Sequence, residues 1–152
     1  RDASLQYTAA HAIEQGLSRD GGLFLPETLP ELPALETLVP MSYQERAVAI
    51  MKLFLDEFTV EELQVYAEKA YGPEKFDCAA VAPVEELHCK TSVLELWHGP
   101  TCAFKDMALQ ILPRFLVKAS KKSGNGKKIV ILTATSGDTG KAALEGYKDV
   151  EI

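Results

Sequence analysis

An apolar run near the end of the chain limits the folds that this sequence can adopt. Residues 127–135, KKIVILTAT, are β-branched and apolar almost throughout. Such a run is typical of a parallel β-strand that is covered on both faces by helices. It leads through SGDTG into the helical sequence KAALEGYK. The segment therefore predicts one strand–loop–helix unit of an α/β fold.

The preceding segment predicts a second unit of the same kind. TSVLELW, residues 91–97, is predicted to be a strand, and residues 104–122 a helix that Pro113 should bend. SGNG, residues 123–126, is predicted to be a turn. Alternating strands and helices indicate a parallel sheet with right-handed crossovers. We therefore expect residues 91–152 to form the first part of a parallel-sheet domain.

Residues 1–90 predict a small, mostly helical domain instead. Residues 4–15 have the pattern of a helix ended by Gly16, and the prolines within residues 28–40 indicate irregular chain. Two further helices begin with the capping-box pattern, in which Ser or Thr is followed three residues later by Glu. The pairs are Ser42 with Glu45 and Thr59 with Glu62, and Gly72 ends the second helix.

Charge and cysteine content exclude several functions. The net charge is −6 and the isoelectric point is near 5.1, which argues against binding to nucleic acid or to an anionic membrane. No apolar run reaches the length of a membrane span. The three cysteines are sparse and lack C-x-x-C spacing, so we expect free thiols, a cytoplasmic location and no metal site.

Lys105 is an unusual residue for its position. It follows Ala103 and Phe104 at the predicted start of a helix, where the helix dipole and the apolar neighbours both favour the neutral amine. A neutral amine attacks carbonyl carbon, so Lys105 is a candidate for a Schiff base with an aldehyde cofactor. The alternative is a lysine that extends into solvent and pairs with a nearby acid. The local sequence alone favours this alternative.

The second candidate site is the loop at residues 136–140, SGDTG. Its small residues allow backbone N–H groups to point at an anion, and the following helix adds its dipole. Ser136 and Thr139 add hydroxyl donors, so a carboxylate or a phosphate would fit. The alternative is an ordinary strand-to-helix turn in which Asp138 or Thr139 is the N-cap.

Two known phosphate-binding motifs are excluded at this loop. A nucleotide P-loop requires glycine where Thr135 stands and Ser or Thr where Ala142 follows Lys141. A dinucleotide fingerprint requires glycine where Thr139 stands.

Three stretches of the chain together carry a resemblance to a known family. They are GLSRDGGLFLPE at residues 16–27, HGPTCAFKDMALQ at residues 98–110 and TATSGDTGKAALEG at residues 133–146. In this order they resemble the threonine synthase family, which depends on pyridoxal phosphate and has the fold type of the tryptophan synthase β subunit. The resemblance extends from one end of the chain to the other.

The resemblance implies a role for each candidate residue. Lys105 would form the Schiff base with pyridoxal 5'-phosphate and would shuttle protons once the substrate displaces it. The loop that would hold the substrate's α-carboxylate, beside the cofactor ring and its 3′ oxygen, contains Ser136, Gly137, Asp138, Thr139 and Gly140. Asp138 would also contact the cofactor. The neighbours of the site in the family pattern are His98, Thr101 and Asp106.

The resemblance also implies the reaction. The family converts O-phospho-L-homoserine and water into L-threonine and phosphate. The family's cradle for the cofactor phosphate and the partner of its pyridine nitrogen lie further along than this sequence extends. We therefore expect the chain to be an N-terminal fragment that is inactive alone, of an enzyme that is a monomer or a dimer. An unpaired sheet edge would favour self-association of the fragment.

Two other functions remain open at this point. A related enzyme with the same fold and cofactor would act as a phospho-lyase or a dehydratase on a similar amino acid. A non-catalytic fragment would keep the fold for binding or assembly. Loss of Lys105 or of the SGDTG loop would indicate the latter, and both are present.

Overall fold

The computed structural model describes residues 4–124, 128–148 and 150. Its larger helices are α1, Ala9–Gln15; α3, Tyr43–Met51; α4, Val60–Tyr71; α6, Leu112–Ser123; and α7, Asp138–Tyr147. Two single-turn helices, α2 at Leu35–Leu38 and α5 at Asp106–Leu109, and two short strands, β1 at Val84–Glu86 and β2 at Ser92–Leu94, complete the elements. The chain within these ranges is therefore mainly helical.

Both predicted capping boxes are confirmed. At the start of α3 the Ser42 hydroxyl accepts from the Glu45 N–H at 3.2 Å, and the Glu45 carboxylate accepts from the Ser42 N–H at 2.7 Å. Thr59 and Glu62 make the same pair of bonds at the start of α4. Gly72 is the C-cap of α4, as predicted. These motifs are local in sequence, because each bond joins residues three apart.

Replacing Thr59 with alanine is expected to lower the free energy of unfolding by about 1 kcal/mol, because the Glu62 N–H loses its acceptor. Thr59→Ser keeps the hydroxyl and serves as the control. Urea denaturation followed by circular dichroism measures both variants. Equal stability of Thr59→Ala and the unmodified chain would show that this cap does not stabilise α4.

Helix α1 is shorter than predicted at its N-terminus and ends where predicted. It begins at Ala9, because the Thr8 hydroxyl caps it by accepting from the His11 N–H. Gly16 ends it with φ of +77°, and the Gly16 N–H donates to the Ala12 carbonyl. A positive φ of this size favours glycine over any residue with a side chain.

The helix predicted over residues 104–122 is divided into two. Helix α5 is one turn, Asp106–Leu109, and α6 begins at Leu112 with Pro113 in its first turn. Proline fits there because the first turn of a helix has no partner for its N–H groups. Pro113 therefore lies in the first turn of a new helix and does not bend a continuous one.

The strand predicted at residues 91–97 pairs differently from the prediction. Only Ser92–Leu94 is a strand, and it pairs antiparallel with Val84–Glu86. A connection of only five residues joins these strands, and a connection that short cannot reach the parallel arrangement, which requires a long crossover. The sheet among the described residues is thus a two-stranded antiparallel ribbon, and the parallel sheet stays a prediction.

The strand predicted at residues 127–135 is not formed over the part that the structure describes. Residues 128–135 have no assigned strand or helix, and Val130 and Leu132 are 78% and 92% exposed. A strand requires partners for its N–H and C=O groups, and the described chain offers none beside this segment. Lys127 and two residues of the SGNG turn lie outside the described residues, whereas α7 follows as predicted.

The hydrophobic core joins elements from both halves of the sequence. Helix α6 packs on α1, and the core residues come from the N-terminal helices, the segment after α4, and α6. Edge-to-face ring contacts connect Phe115 of α6 to Phe58 and to Tyr66 of α4. The Tyr71 hydroxyl of α4 donates to the Met107 carbonyl of α5 at 2.7 Å. The core therefore crosses residue 90, and the division into domains at that residue stays a prediction.

None of the helices in the described ranges has the length and apolar character that a membrane span requires.

Candidate functional site

A buried pair of side-chain contacts holds the turn that precedes Lys105. The Asp106 carboxylate accepts from the Thr101 N–H and from the Thr101 hydroxyl, both at 2.8 Å. Asp106 is 1% exposed and Thr101 7%. Gly99 packs against this carboxylate so closely that a Cβ on Gly99 would lie 2.6 Å from it. Because these donors satisfy the buried carboxylate, it fixes the shape of the turn.

Lys105 occupies the N-cap position of α5 and is half-buried. Its Nζ lies 4.8 Å from the centre of the Phe104 ring. Within the described residues this nitrogen makes no hydrogen bond or ion pair, and the neighbouring Asp106 carboxylate accepts from Thr101. The pairing with an acid, one of the two alternatives above, is therefore not formed there. Since α5 is a single turn, its dipole acts on Lys105 less than a long helix would.

The SGDTG loop is organised around a hydroxyl that the sequence reasoning did not single out. Thr135 Oγ1 accepts from the Gly137 N–H at 3.2 Å and from the Gly140 N–H at 3.0 Å. Gly137, with φ of +149°, is the N-cap of α7 and makes no side-chain cap bond. Asp138 and Thr139 are therefore inside the helix and are not its N-cap. Two loop N–H groups thus converge on one oxygen, which is the geometry that an anion's oxygen also requires.

The two predicted motifs meet at one open cleft of about 590 Å³. It is lined by Pro100, Thr101, Thr133, Thr135, Gly137, Gly140, Lys141, Leu144, Glu145 and Lys148. Lys141 Nζ donates to the Thr101 carbonyl at 3.3 Å and so links α7 to the turn before Lys105. In the part of the chain that the structure describes, Lys105, Ser136, Asp138 and Thr139 do not line this cleft.

The sequence contained signals for the residues that were missed. Thr135 precedes Gly137 by two residues, and a hydroxyl at that distance commonly accepts from a backbone N–H in a turn. Lys141 follows the loop directly and places a cation in the first turn of α7, where a helix does not favour one. Its contact with Thr101 bridges 40 residues, so the sequence could not show it.

His98, the residue before the turn, lies between two carboxylates. Its Nε2 is 2.7 Å from Glu95 Oε2, and its Nδ1 is 2.7 Å from Asp77 Oδ1. Hydrogen bonds to Glu95 and then to Asp77 raise the pKa of His98 above its ordinary value of 6.5. The Asp77 N–H also donates to the His98 carbonyl at 3.1 Å. His98 therefore connects Asp77 to the start of the candidate site through one side-chain contact and one backbone hydrogen bond.

This contact predicts a pH-dependent stability. Because the folded-state pKa of His98 is raised, its contribution is fully present below pH 6.5 and is lost as pH rises through the raised pKa. Urea denaturation compares the unmodified chain with His98→Gln. The measurements are made at pH values above the range in which carboxylates titrate. The stability advantage of the unmodified chain should shrink as pH rises. An advantage that is constant with pH would show that the imidazole does not gain a proton from this contact.

Comparison with known proteins finds similarity to threonine synthases and to a threonine synthase-like protein. Residues 1–71 match the family model described as threonine synthase N terminus. The chain is 44% identical to a threonine synthase of Pseudomonas aeruginosa over 88% of its length, which is 28% of that protein. It is 40% identical to human threonine synthase-like 1 over 91% of its length, which is 19% of that protein. The chain thus spans less than a third of these relatives.

The solved structures agree with the sequence matches. The structure of threonine synthase from Brucella melitensis with bound pyridoxal phosphate superimposes with a TM-score of 0.85 at 37% identity. The superposition covers 95% of this chain and 31% of that one. The likeness therefore holds in both sequence and fold.

Proposed function

Because the chain belongs to the threonine synthase family, whose N-terminal part it matches, we propose that it supplies the cofactor lysine and the carboxylate loop of a threonine synthase. The reaction would convert O-phospho-L-homoserine and water into L-threonine and phosphate. The observation that carries the proposal is the cleft, at which Thr101, four residues before Lys105, meets Gly137 and Gly140 of the loop. One motif alone would support only a general lysine or anion site.

The described residues fit pyridoxal phosphate on one count and its carboxylate substrate on another. The Lys105 amine has no carboxylate partner among them, so it is free to bond to the cofactor's aldehyde carbon. Gly137 and Gly140 direct their N–H groups at one oxygen, so the loop is shaped for an anionic oxygen. When bound, the cofactor supplies an electron sink for negative charge on the substrate's carbon atoms.

The chain's own residues would then have distinct tasks. Lys105, once free of the cofactor, would move protons at Cα and Cβ of the substrate as an acid–base group. The Gly137 and Gly140 N–H groups would bind the α-carboxylate after the Thr135 hydroxyl turns away from them. Ser136, Asp138 and Thr139 would complete the loop's contacts with substrate and cofactor. Thr101 and Asp106 would keep the turn before Lys105 rigid.

A related reaction is the second candidate function, because the lysine and the loop do not by themselves select the substrate. A phospho-lyase or a dehydratase with the same fold and cofactor would use the same lysine and loop. The two reactions give different products, so product analysis distinguishes between them.

The test is a chimera in which this chain replaces the matched part of the P. aeruginosa threonine synthase. With O-phospho-L-homoserine, the proposal predicts L-threonine and phosphate in equal amounts, and the second candidate predicts 2-oxobutanoate. The unmodified P. aeruginosa enzyme is the matched control. A folded chimera that binds pyridoxal phosphate and forms neither product would overturn the proposal. We expect the 152-residue chain alone to bind the cofactor weakly and not to turn over.

A further inference from the structure

His98 is the residue at which the chain enters the candidate site, and its ring is held at both nitrogen atoms. Asp77 approaches Nδ1 and Glu95 approaches Nε2, each at 2.7 Å. A neutral imidazole has one N–H donor, so it could satisfy only one of two ionised carboxylates. Two contacts this short therefore require an imidazolium that donates at both nitrogens. Asp77 and Glu95 are the charged groups that act on this ring in the described chain.

The two carboxylates come from different parts of the chain. Asp77 follows α4 and is 21 residues from His98, whereas Glu95 directly follows β2. The Glu95 side chain is 20% exposed and the Asp77 side chain 80%. Water screens an exposed ion pair more than a sheltered one, so Glu95 is the stronger partner. The backbone bond from the Asp77 N–H to the His98 carbonyl adds a second tie.

The turn that follows His98 is held at its other end by the buried Thr101–Asp106 contact. Between the two ends, the Cys102 N–H donates to the Gly99 carbonyl at 3.1 Å. Cys102 has φ of +56°, a conformation that costs a residue with a side chain about 1–2 kcal/mol. A strained turn keeps one shape only if the surrounding contacts fix it. Contacts at both ends are therefore required.

We propose that His98 is a positioning residue, which as an imidazolium between Asp77 and Glu95 fixes the start of the Gly99–Lys105 turn and so the direction in which Lys105 is presented. The inference rests on the proposed function for its purpose, because an oriented Lys105 amine matters only if it reacts. The effect of His98 on the order of the turn can be tested separately, because that order does not depend on a bound cofactor.

The test measures the chain itself without cofactor. Nitrogen-15 spectra of the imidazole report its protonation, and hydrogen exchange of the Thr101 and Cys102 amides reports the order of the turn. We expect the His98 ring to lose its proton only at a pH above 6.5, the ordinary value, because both nitrogens donate to carboxylates. In His98→Gln we expect exchange of these two amides, corrected for its intrinsic pH dependence, to be about tenfold faster. The amide of Ala67, in the buried face of α4, should not change.

The pH profile separates positioning from a general loss of structure. In the unmodified chain, protection of the Thr101 and Cys102 amides should fall as the His98 ring loses its proton, and in His98→Gln it should be low and independent of pH. Glu95→Gln should move the fall to lower pH, and Asp77→Asn should move it less. These two variants keep His98 and provide the test if His98→Gln does not fold.

Two results would overturn the inference. One is a His98 ring that loses its proton at or below pH 6.5, the ordinary value. The other is protection of the Thr101 and Cys102 amides that stays the same in His98→Gln and Glu95→Gln at every pH. Because no cofactor is present, neither result depends on whether Lys105 binds pyridoxal phosphate, and the chimera tests that question independently.

Discussion

Replacing Lys105 with alanine in the chimera is expected to lower the rate of L-threonine formation by at least about a thousandfold. The substitution removes the amine that would hold the cofactor and would then carry protons at the substrate's carbon atoms. The Lys105 Nζ has no carboxylate partner in the described chain, so its removal leaves no buried charge unpaired. The loss should therefore appear in turnover and not in the free energy of unfolding.

Two matched variants make this prediction specific. Lys105→Arg keeps the positive charge but offers a guanidinium, which stays protonated and cannot replace the amine. It should be as inactive as Lys105→Ala. Lys121→Ala removes an exposed lysine of α6 and should leave turnover unchanged. Initial rates of phosphate release measure all three. A Lys105→Ala variant with more than about a tenth of the normal rate would contradict the assigned acid–base role.

Replacing Gly146 with alanine is expected to destabilise the chain by about 3 kcal/mol. Gly146 lies in α7 against α5, and a Cβ placed on it would be 2.0 Å from the Leu109 carbonyl oxygen. That oxygen belongs to the backbone, so the clash is relieved only if the two helices move apart. By helix propensity alone, the same substitution would stabilise α7 by about 1 kcal/mol. The sign of the measured change therefore decides between the two effects.

Gly140→Ala in the same helix is the control for this prediction. There the added Cβ would meet the Thr135 hydroxyl at 2.9 Å, and a hydroxyl can rotate away. We expect a smaller loss of about 1–2 kcal/mol, because the hydrogen bonds from the Gly137 and Gly140 N–H groups to that hydroxyl are disturbed. Urea denaturation followed by circular dichroism measures both variants. A more stable Gly146→Ala would show that α7 does not pack against Leu109 as described.

The helices could be predicted from the sequence where the signal is local. The capping boxes at Ser42 and Thr59 and the terminal glycines at positions 16 and 72 each depend on contacts within about one turn. Pro113 was interpreted less well, because proline suits either a bend in a helix or a new first turn. Only the packing of α5 and α6 around residue 110 distinguishes these two cases.

The sheet was predicted less well than the helices, because a strand depends on partners that are distant in sequence. The apolar run at residues 128–135 has the composition of a buried strand, but in the described chain no neighbour pairs with it. β2 pairs with Val84–Glu86, a segment that the sequence does not predict to be a strand. Short strands with exposed, charged residues carry no periodic signal that would reveal them.

The candidate site could be predicted in its residue types but not in its contacts. The Lys105 and SGDTG motifs predicted an amine and an anion loop, and the cleft is lined by Thr101 from the first motif and by Gly137 and Gly140 from the second. Thr101, Asp106 and His98 could be named as neighbours only through the family pattern. The tasks that we propose for them rest on contacts such as that of His98 with Asp77, which joins residues 21 positions apart.

The lysine that bonds to the cofactor can be identified chemically. The chimera is loaded with pyridoxal phosphate, reduced with borohydride, digested and mapped by mass spectrometry. We predict a pyridoxyl group on Lys105 and on no other lysine of this chain. A group on Lys141 or Lys148, which line the cleft, or no group on the chain at all, would contradict it.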